Sequence, residues 1–211
     1  MAYTIASCRR CALIDRVIVS TDSAEYAEIA MHYGAEVPFL RPPELSQSES
    51  PDSEFIVHAL DWLADEGREP IRLVHMRPTT PLRNSAVVDR GIATFVENED
   101  ASALRSVHEM SESAYKTLEI GPDGWLARLG MKDTELDAVN LARQSFPNTY
   151  VANGYVDVLS VARIRLTGKI HGDRVMAFIT PAVAEIDTEI DFRFLEFCVA
   201  SDPSLASSIV V

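Results

Sequence analysis

The stretch at residues 13–42, LIDRVIVSTDSAEYAEIAMHYGAEVPFLRP, constrains the fold more than any other. Asp15 and Arg16 lead into a β-branched apolar run at residues 17–19, which stops at Ser20, Thr21 and Asp22. Short buried strands of parallel sheets have this pattern. The stop is also a helix start. Ser20, Thr21, Asp22 and Ser23 all suit an N-cap, and Glu25 complements a helix N-terminus. Ala24, Ala27, Ile29 and Ala30 give a small-residue helical face, Gly34 suits the helix end, and residues 35–40 form a second strand candidate before Arg41-Pro42-Pro43. Strand, helix and strand make one βαβ unit with a right-handed crossover. Ligands of such sheets bind at the carboxyl ends of strands, here Ser20-Thr21-Asp22 and Arg41.

The rest of the chain has room for one such domain. With 211 residues and 47% hydrophobic content, a single α/β domain over 1–211 with a small excursion is expected. A net charge of −13 argues against a nucleic-acid partner or an anionic membrane surface. It also means that phosphate ligands need local cations, backbone N–H groups or a metal. No signal-peptide pattern and no bilayer-length apolar run is present, so a cytoplasmic protein is expected. Cys8 and Cys11 have the spacing of half a zinc site or a redox pair, but no second pair completes a four-ligand site, which favours partly buried thiols on a helix at residues 1–13. The five histidines form no ligand motif.

Four later stretches carry candidate chemistry. Residues 44–53 are a polar loop in which Ser50, Pro51, Asp52 and Ser53 suit the start of a helix at 54–66. Residues 73–76 read as a buried strand whose exit loop, Arg77-Pro78-Thr79-Thr80-Pro81-Leu82-Arg83, is stiffened by prolines and favours an anion. The planar fork of Arg77 suits a phosphate or a sugar carboxylate; the alternative is a solvated arginine on a capping loop. Residues 111–137, with Gly121, Pro122, Asp123, Gly124 and Gly130 among short apolar runs, read as a β-hairpin excursion. In Glu185-Ile186-Asp187-Thr188, alternation puts Glu185 and Asp187 on one side of an extended segment, where two carboxylates can share a hard cation. Against that stands a plain helix start, with Thr188 as the cap and Asp191 complementing the dipole.

Residue identity and order extend the case. Residues 15–22, the Tyr33-Gly34-Ala35-Glu36-Val37-Pro38-Phe39-Leu40-Arg41-Pro42 segment, the Pro-Thr-Thr-Pro-Leu-Arg loop, Arg143-Gln144 ahead of Asn153-Gly154-Tyr155, and the Glu185 to Asp187 pair resemble the cytidylyltransferases that activate acidic sugars, the CMP-sialic acid synthetase (acylneuraminate cytidylyltransferase) family. The resemblance implies a Rossmann-like, doubly wound, mostly parallel sheet of the nucleotide-diphospho-sugar transferase type. It implies that CTP and an acidic sugar, sialic acid or a related nonulosonic acid, give a CMP-sugar and pyrophosphate. The 3-deoxy-octulosonate branch is an alternative substrate assignment. Arg41, Ser50, Ser53 and Arg77 are the implied nucleotide contacts, and Lys116, Arg143, Gln144 and Tyr155 the implied sugar contacts. Asp187 with Glu185, which stands where the family usually has Asp, are the implied Mg²⁺ ligands, and Asp187 and Arg143 the implied catalytic pair.

The resemblance also implies a homodimer built through the excursion at 111–137. Met1 falls where the family's chain enters its first helix. The family's preceding strand and its glycine-, serine-, lysine- and arginine-rich triphosphate loop have no counterpart in these residues. That implies an unpaired strand edge at residues 17–19 and weak catalysis by this chain. A non-catalytic relative that binds a sugar acid or a nucleotide, or that only dimerises, is the alternative. Strands are expected near 16–20, 36–40, 72–76, 102–107, 151–159 and 175–179.

Overall fold

The first βαβ unit forms with its strands cut short. In the computed structural model, which describes residues 1–130 and 136–206, Ile18 makes one parallel bridge to Glu36 in place of the two strands expected at 16–20 and 36–40. Val19 N–H donates to the Glu36 carbonyl at 2.9 Å, and Glu36 N–H to the Val17 carbonyl at 2.8 Å. Extended residues need a ladder on each side to make a central strand, and residues 17–19 have one side only. Helix α1 (Ala2–Arg10) precedes this unit and helix α2 (Ala24–His32) lies within it. Ser23, one of the four candidate caps, accepts the Tyr26 N–H at 3.2 Å. Gly34 follows the helix at φ 86°, a conformation that disfavours any other residue.

Helix α3 (Asp52–Asp65) begins two residues before the expected start, and Ser50 and Ser53 do not cap it. Its N-cap is Pro51, which gives no side-chain hydrogen bond, while the Ser50 hydroxyl is turned back to accept the Gln47 N–H. The chain then alternates strand β1 (Arg72–His75), helix α4 (Ser85–Val96) and strand β2 (Ala103–Glu109). A separate hairpin, β3 (Leu118–Ile120) and β4 (Leu126–Arg128), forms inside the expected excursion, of which residues 131–135 lie outside the described residues. Its turn is closed by Gly124 N–H to the Gly121 carbonyl, with Gly124 at φ 82°. Strand β5 (Tyr150–Ser160), helix α5 (Val161–Thr167), strand β6 (Val175–Ile179) and helix α6 (Glu189–Ser201) complete the order.

The main sheet runs β1-β5-β2-β6. β5 is antiparallel to both β1 and β2, while β2 and β6 are parallel, so three of these four strands point the same way. The mixed α/β, Rossmann-like architecture is the expected one; the reversed β5 in its centre was not foreseen. Alternation along β5 sends Val156 and Val158 to one face, packed with Val88, Ile92 and Phe95 of α4, and Leu159 to the other, packed with Ile56 and Leu60 of α3 and Ile164 of α5. Helices therefore cover both faces. A third cluster joins Ile5 of α1 to Ala30 of α2 and Ala35, with Val17 and Val19 against it. Among the described residues no helix is long and apolar enough to cross a membrane.

Candidate functional site

The carboxyl ends of the like-directed strands gather the polar loops on one edge. The β1 exit loop turns at Thr80 N–H to the Arg77 carbonyl, 3.3 Å, and meets β5 where β5 is irregular. Between the Arg105↔Asp157 and Val107↔Ala152 pairs the β2–β5 register shifts, which marks a bulge. Gly154 lies in that bulge at φ 61°, and a Cβ there would sit 3.2 Å from Thr80 Oγ1, 3.5 Å from Arg77 Cδ and 3.9 Å from Glu185 Oε1. A glycine thus lets three polar side chains from two segments, the β1 exit loop and the stretch before α6, converge. Asn153, next to it, is buried, accepts the Tyr155 N–H at 3.2 Å and donates to Thr180 Oγ1 at 2.7 Å.

Arg83 holds this junction together. Only 5% exposed, it donates from Nε to the Tyr155 carbonyl (2.6 Å), from Nη2 to the Arg77 and Gly154 carbonyls (2.7 Å each) and from Nη1 to Thr4 Oγ1 of α1 (3.0 Å). Burial lowers its pKa to about 10, because its hydrogen-bond partners are neutral. The sequence reading passed over it, since nothing in the spacing separates a buried arginine from an exposed one.

Arg77 and Arg41 lie on the α3 side of the edge. Arg77 Nη2 pairs with Asp52 Oδ2, 2.6 Å, at the start of α3, with both side chains part exposed. Arg41 Nη2 donates to the Ser20 carbonyl at 2.6 Å and its Cζ lies 4.7 Å from the Phe55 ring centre. Phe55 in turn meets His75 edge-on at 5.7 Å. Two buried polar atoms here, Ser20 Oγ and Arg41 Nε, have no partner. Buried polar groups ordinarily are hydrogen-bonded, which makes these two atoms candidates for contact with a bound group.

Glu185 and Asp187 flank Ile186, whose N–H donates to the Thr79 carbonyl at 2.8 Å. That bond pins the segment to the β1 exit loop and brings Glu185 Oε1 to 3.5 Å from Thr79 Oγ1. Asp187 is exposed, and its N–H donates to the Asp191 carboxylate. The helix-start part of the sequence expectation is met, because Thr188 and Asp191 form a reciprocal capping box at the start of α6. The Thr188 hydroxyl and backbone N–H hold the Asp191 carboxyl below its ordinary range. Among the described residues no group of three or more His, Cys, Asp or Glu could hold a metal alone. Two hard carboxylates at i and i+2 fit Mg²⁺ where substrate phosphates supply further oxygens.

The remaining candidates sit apart, toward the hairpin. Arg143 Nη2 pairs with Glu109 Oε1 at the end of β2 (2.8 Å) and also donates to the Met110 carbonyl (3.0 Å). Gln144 follows it in an exposed single turn, and Lys116 Nζ donates to the Leu141 carbonyl at 3.2 Å. Tyr155 is 4% exposed and belongs to the core on α4. Its hydroxyl accepts the Asn84 N–H at 2.6 Å, so the structure places it under the site as support and not on its surface. The two helical cysteines are buried free thiols, with Cys8 Sγ 3.4 Å from Met76 Sδ. Burial raises them to about 11 and 12, which leaves them protonated and inert at neutral pH.

A Rossmann-like mixed sheet with cations, hydroxyls and paired carboxylates at its strand ends defines a nucleotide-handling transferase class. The family model described as cytidylyltransferase matches residues 1–118, more than half of the chain, and the chain belongs to that family. It is 26% identical over 205 residues to the post-translational flagellin modification protein B of Campylobacter coli, covering 94% of this chain and 83% of that protein. It is 29% identical over 195 residues to the N-acylneuraminate cytidylyltransferase of Escherichia coli O18:K1:H7 (strain RS218 / NMEC), covering 92% of this chain and 44% of that protein, so it spans less than half the length of that relative. Among solved structures, CMP:2-keto-3-deoxy-manno-octonic acid synthetase complexed with CTP superposes with a TM-score of 0.64 at 9% identity, covering 95% of this chain and 87% of that one.

Proposed function

We propose that this cytidylyltransferase uses CTP to activate an acidic sugar, a sialic acid or related nonulosonic acid, forming a CMP-sugar and releasing pyrophosphate. The observation that carries this reading is the meeting of Arg77, Thr80, Gly154 and Glu185 at one strand-end junction, in a chain similar to an N-acylneuraminate cytidylyltransferase along 92% of its length. In this reading the anomeric hydroxyl of the sugar displaces pyrophosphate from the α-phosphorus. Such transfers are mostly positioning and charge stabilisation. Arg41 and Arg77, with Ser53 in the uncapped first turn of α3 and Ser50 in the preceding turn, face the nucleotide. Arg143, Gln144 and Lys116 face the sugar, where Arg143 exchanges Glu109 for the sugar carboxylate as a bidentate partner. Asp187 and Glu185 hold Mg²⁺, which when bound neutralises phosphate charge. The reading includes a cytoplasmic setting and a homodimer.

The test is pyrophosphate release from CTP with Mg²⁺ and N-acetylneuraminate, 3-deoxy-octulosonate or a related acid. Asp187→Asn is expected to reduce turnover at least a hundredfold with an unchanged melting temperature, since its carboxylate is exposed. Arg143→Ala is expected mainly to raise KM for the sugar, by about tenfold or more for a lost charged hydrogen bond. CMP-sugar formation unaffected by both substitutions would overturn the assignment of these residues. Silence with every acidic sugar, under conditions where CTP binds, would overturn the enzyme reading in favour of a non-catalytic nucleotide binder.

A further inference from the structure

The central strand β5 carries one buried carboxylate, Asp157, only 4% exposed. His75 of β1 and Arg105 of β2 are its cross-strand partners, so the three side chains share one face of the sheet. Leu159, two residues on, packs with α3, which makes this the α3 face. The two oxygens of Asp157 differ. Oδ2 lies 3.4 Å from His171 Nε2 and 3.8 Å from Arg105 Nε, while Oδ1 is buried without a partner among the described residues. The loop that carries His171 is pinned in place. Ser102 Oγ donates to the His171 carbonyl at 2.6 Å and accepts the Arg174 N–H at 2.9 Å, and a Cβ at Gly172 would come within 2.8 Å of Ser102.

Arg105 is held far more loosely. Its 3.8 Å contact is longer than a hydrogen bond. Its side chain is 36% exposed, and among the described residues its guanidinium makes no hydrogen bond. An unfilled carboxylate oxygen thus lies beside unfilled guanidinium donors, although buried polar groups ordinarily are hydrogen-bonded. Apolar surface adjoins them. Alternation puts Val107 on the same face of β2 as Arg105, and its parallel neighbour Ile179, 62% exposed, stands next to it. Further along β2 comes Glu109, the partner of Arg143. From Arg105 to Glu109 the strand rises about 13 Å, and the two arginine side chains shorten that span to the reach of one sugar acid.

We propose that Asp157 and Arg105 form the subsite for an acylamino group of the sugar acid. Arg105 swings off its long contact, Asp157 Oδ1 accepts the amide N–H, and the guanidinium donates to the amide carbonyl. The acyl carbon lies on Val107 and Ile179. An amide supplies the donor and the acceptor that these two side chains lack, and its acyl end suits the apolar surface beside them. A hydroxyl offers nothing to that surface. The inference rests on the proposed function and narrows it: the acid is an acylamino nonulosonic acid and not 3-deoxy-octulosonate, whose substituents are hydroxyls.

The test is binding to the full chain, with CTP and Mg²⁺ present, followed by saturation-transfer NMR. The probes are N-acetylneuraminate, the same nine-carbon acid with a hydroxyl in place of the acetamido group, and 3-deoxy-octulosonate. N-acetylneuraminate is expected to bind about tenfold more tightly than its hydroxyl counterpart, the order of a lost charged hydrogen bond. Its acetamido methyl is expected to take the strongest saturation. Arg105→Met changes a part-exposed side chain, and Asp157→Asn conserves shape. Each is expected to bring the two nine-carbon acids to within about threefold of each other. If Asp157→Asn does not fold, Arg105→Met decides. Equal binding of the two acids by the natural chain, or a preference that survives Arg105→Met in a folded variant, would overturn the subsite and leave the proposed function standing. Failure of every acid to bind, while CTP binds, would overturn the sugar assignment and the subsite together.

Discussion

Arg83 is a buried cation whose hydrogen-bond partners are all neutral, three of them backbone carbonyls. Replacing it by methionine keeps length but strands the carbonyls of Arg77, Gly154 and Tyr155, and each stranded acceptor costs about 1–3 kcal/mol. Arg83→Met is expected to destabilise the fold by about 3 kcal/mol in urea denaturation; a loss under about 1 kcal/mol would show the junction to be held by packing alone. His75 gives a pH dependence. Burial pushes its pKa below the ordinary value, against the pull of Asp52 and Asp157 and with help from Arg77 and His171. The unfolded chain then takes up the proton first. The stability tied to neutral His75 is complete above about pH 6.5 and is lost as pH falls through the folded-state value. The melting temperature should fall more steeply between pH 7.5 and 5 for the natural chain than for His75→Gln; equal slopes would refute this. Residue identity singled out this loop, but not which of its arginines is buried. Arg77 and Arg83 bracket the same Pro-Thr-Thr-Pro-Leu motif, and only the bulge at Gly154 decides which one faces inward.

At the scale of elements, short-range signals proved readable where the partner lies within a few residues. The Thr188 to Asp191 capping box is a contact of three positions, and the structure has it as expected. Thr188→Ala is expected to cost about 1 kcal/mol, and to loosen the start of α6 next to Asp187. A stability change below about 0.3 kcal/mol would show the cap to be dispensable. The start of α3 was misjudged because two serines and an aspartate compete near a proline. The Ser50 hydroxyl is drawn into a turn with Gln47, so the helix starts uncapped at Pro51. The strands at 16–20 and 36–40 shrank to one bridge for a different reason. A strand is fixed by its neighbours, and an apolar β-branched run has no local device to supply one.

For the whole molecule, the direction of β5 was illegible because the buried half of the strand, Tyr155 to Leu159, carries no residue pattern that separates parallel from antiparallel pairing. The hairpin was legible from its glycines, and it leads to a prediction about assembly. β3 and β4 are three residues each and form a sheet of their own. A lone two-stranded hairpin is marginal in water, yet this one exposes Ile120 and Trp125 by 74% and 73%. Leu126 and Leu129 add further exposed apolar surface in the same excursion. Exposed apolar residues gathered on one small excursion suit an interface. A second copy is the partner that accounts for it economically, since a two-fold axis pairs the patch with itself. Light scattering at micromolar concentration is expected to give twice the 23.3 kDa of one chain. The double substitution Ile120→Asp with Trp125→Asp is expected to halve that mass. Because neither residue belongs to the main core, the circular dichroism of the variant should stay that of a folded α/β chain. A natural chain that is monomeric under these conditions, or a folded double variant that still dimerises, would place the interface elsewhere. The exposed face of α6 around Ile190, Phe194 and Phe197 would then be the next surface to substitute.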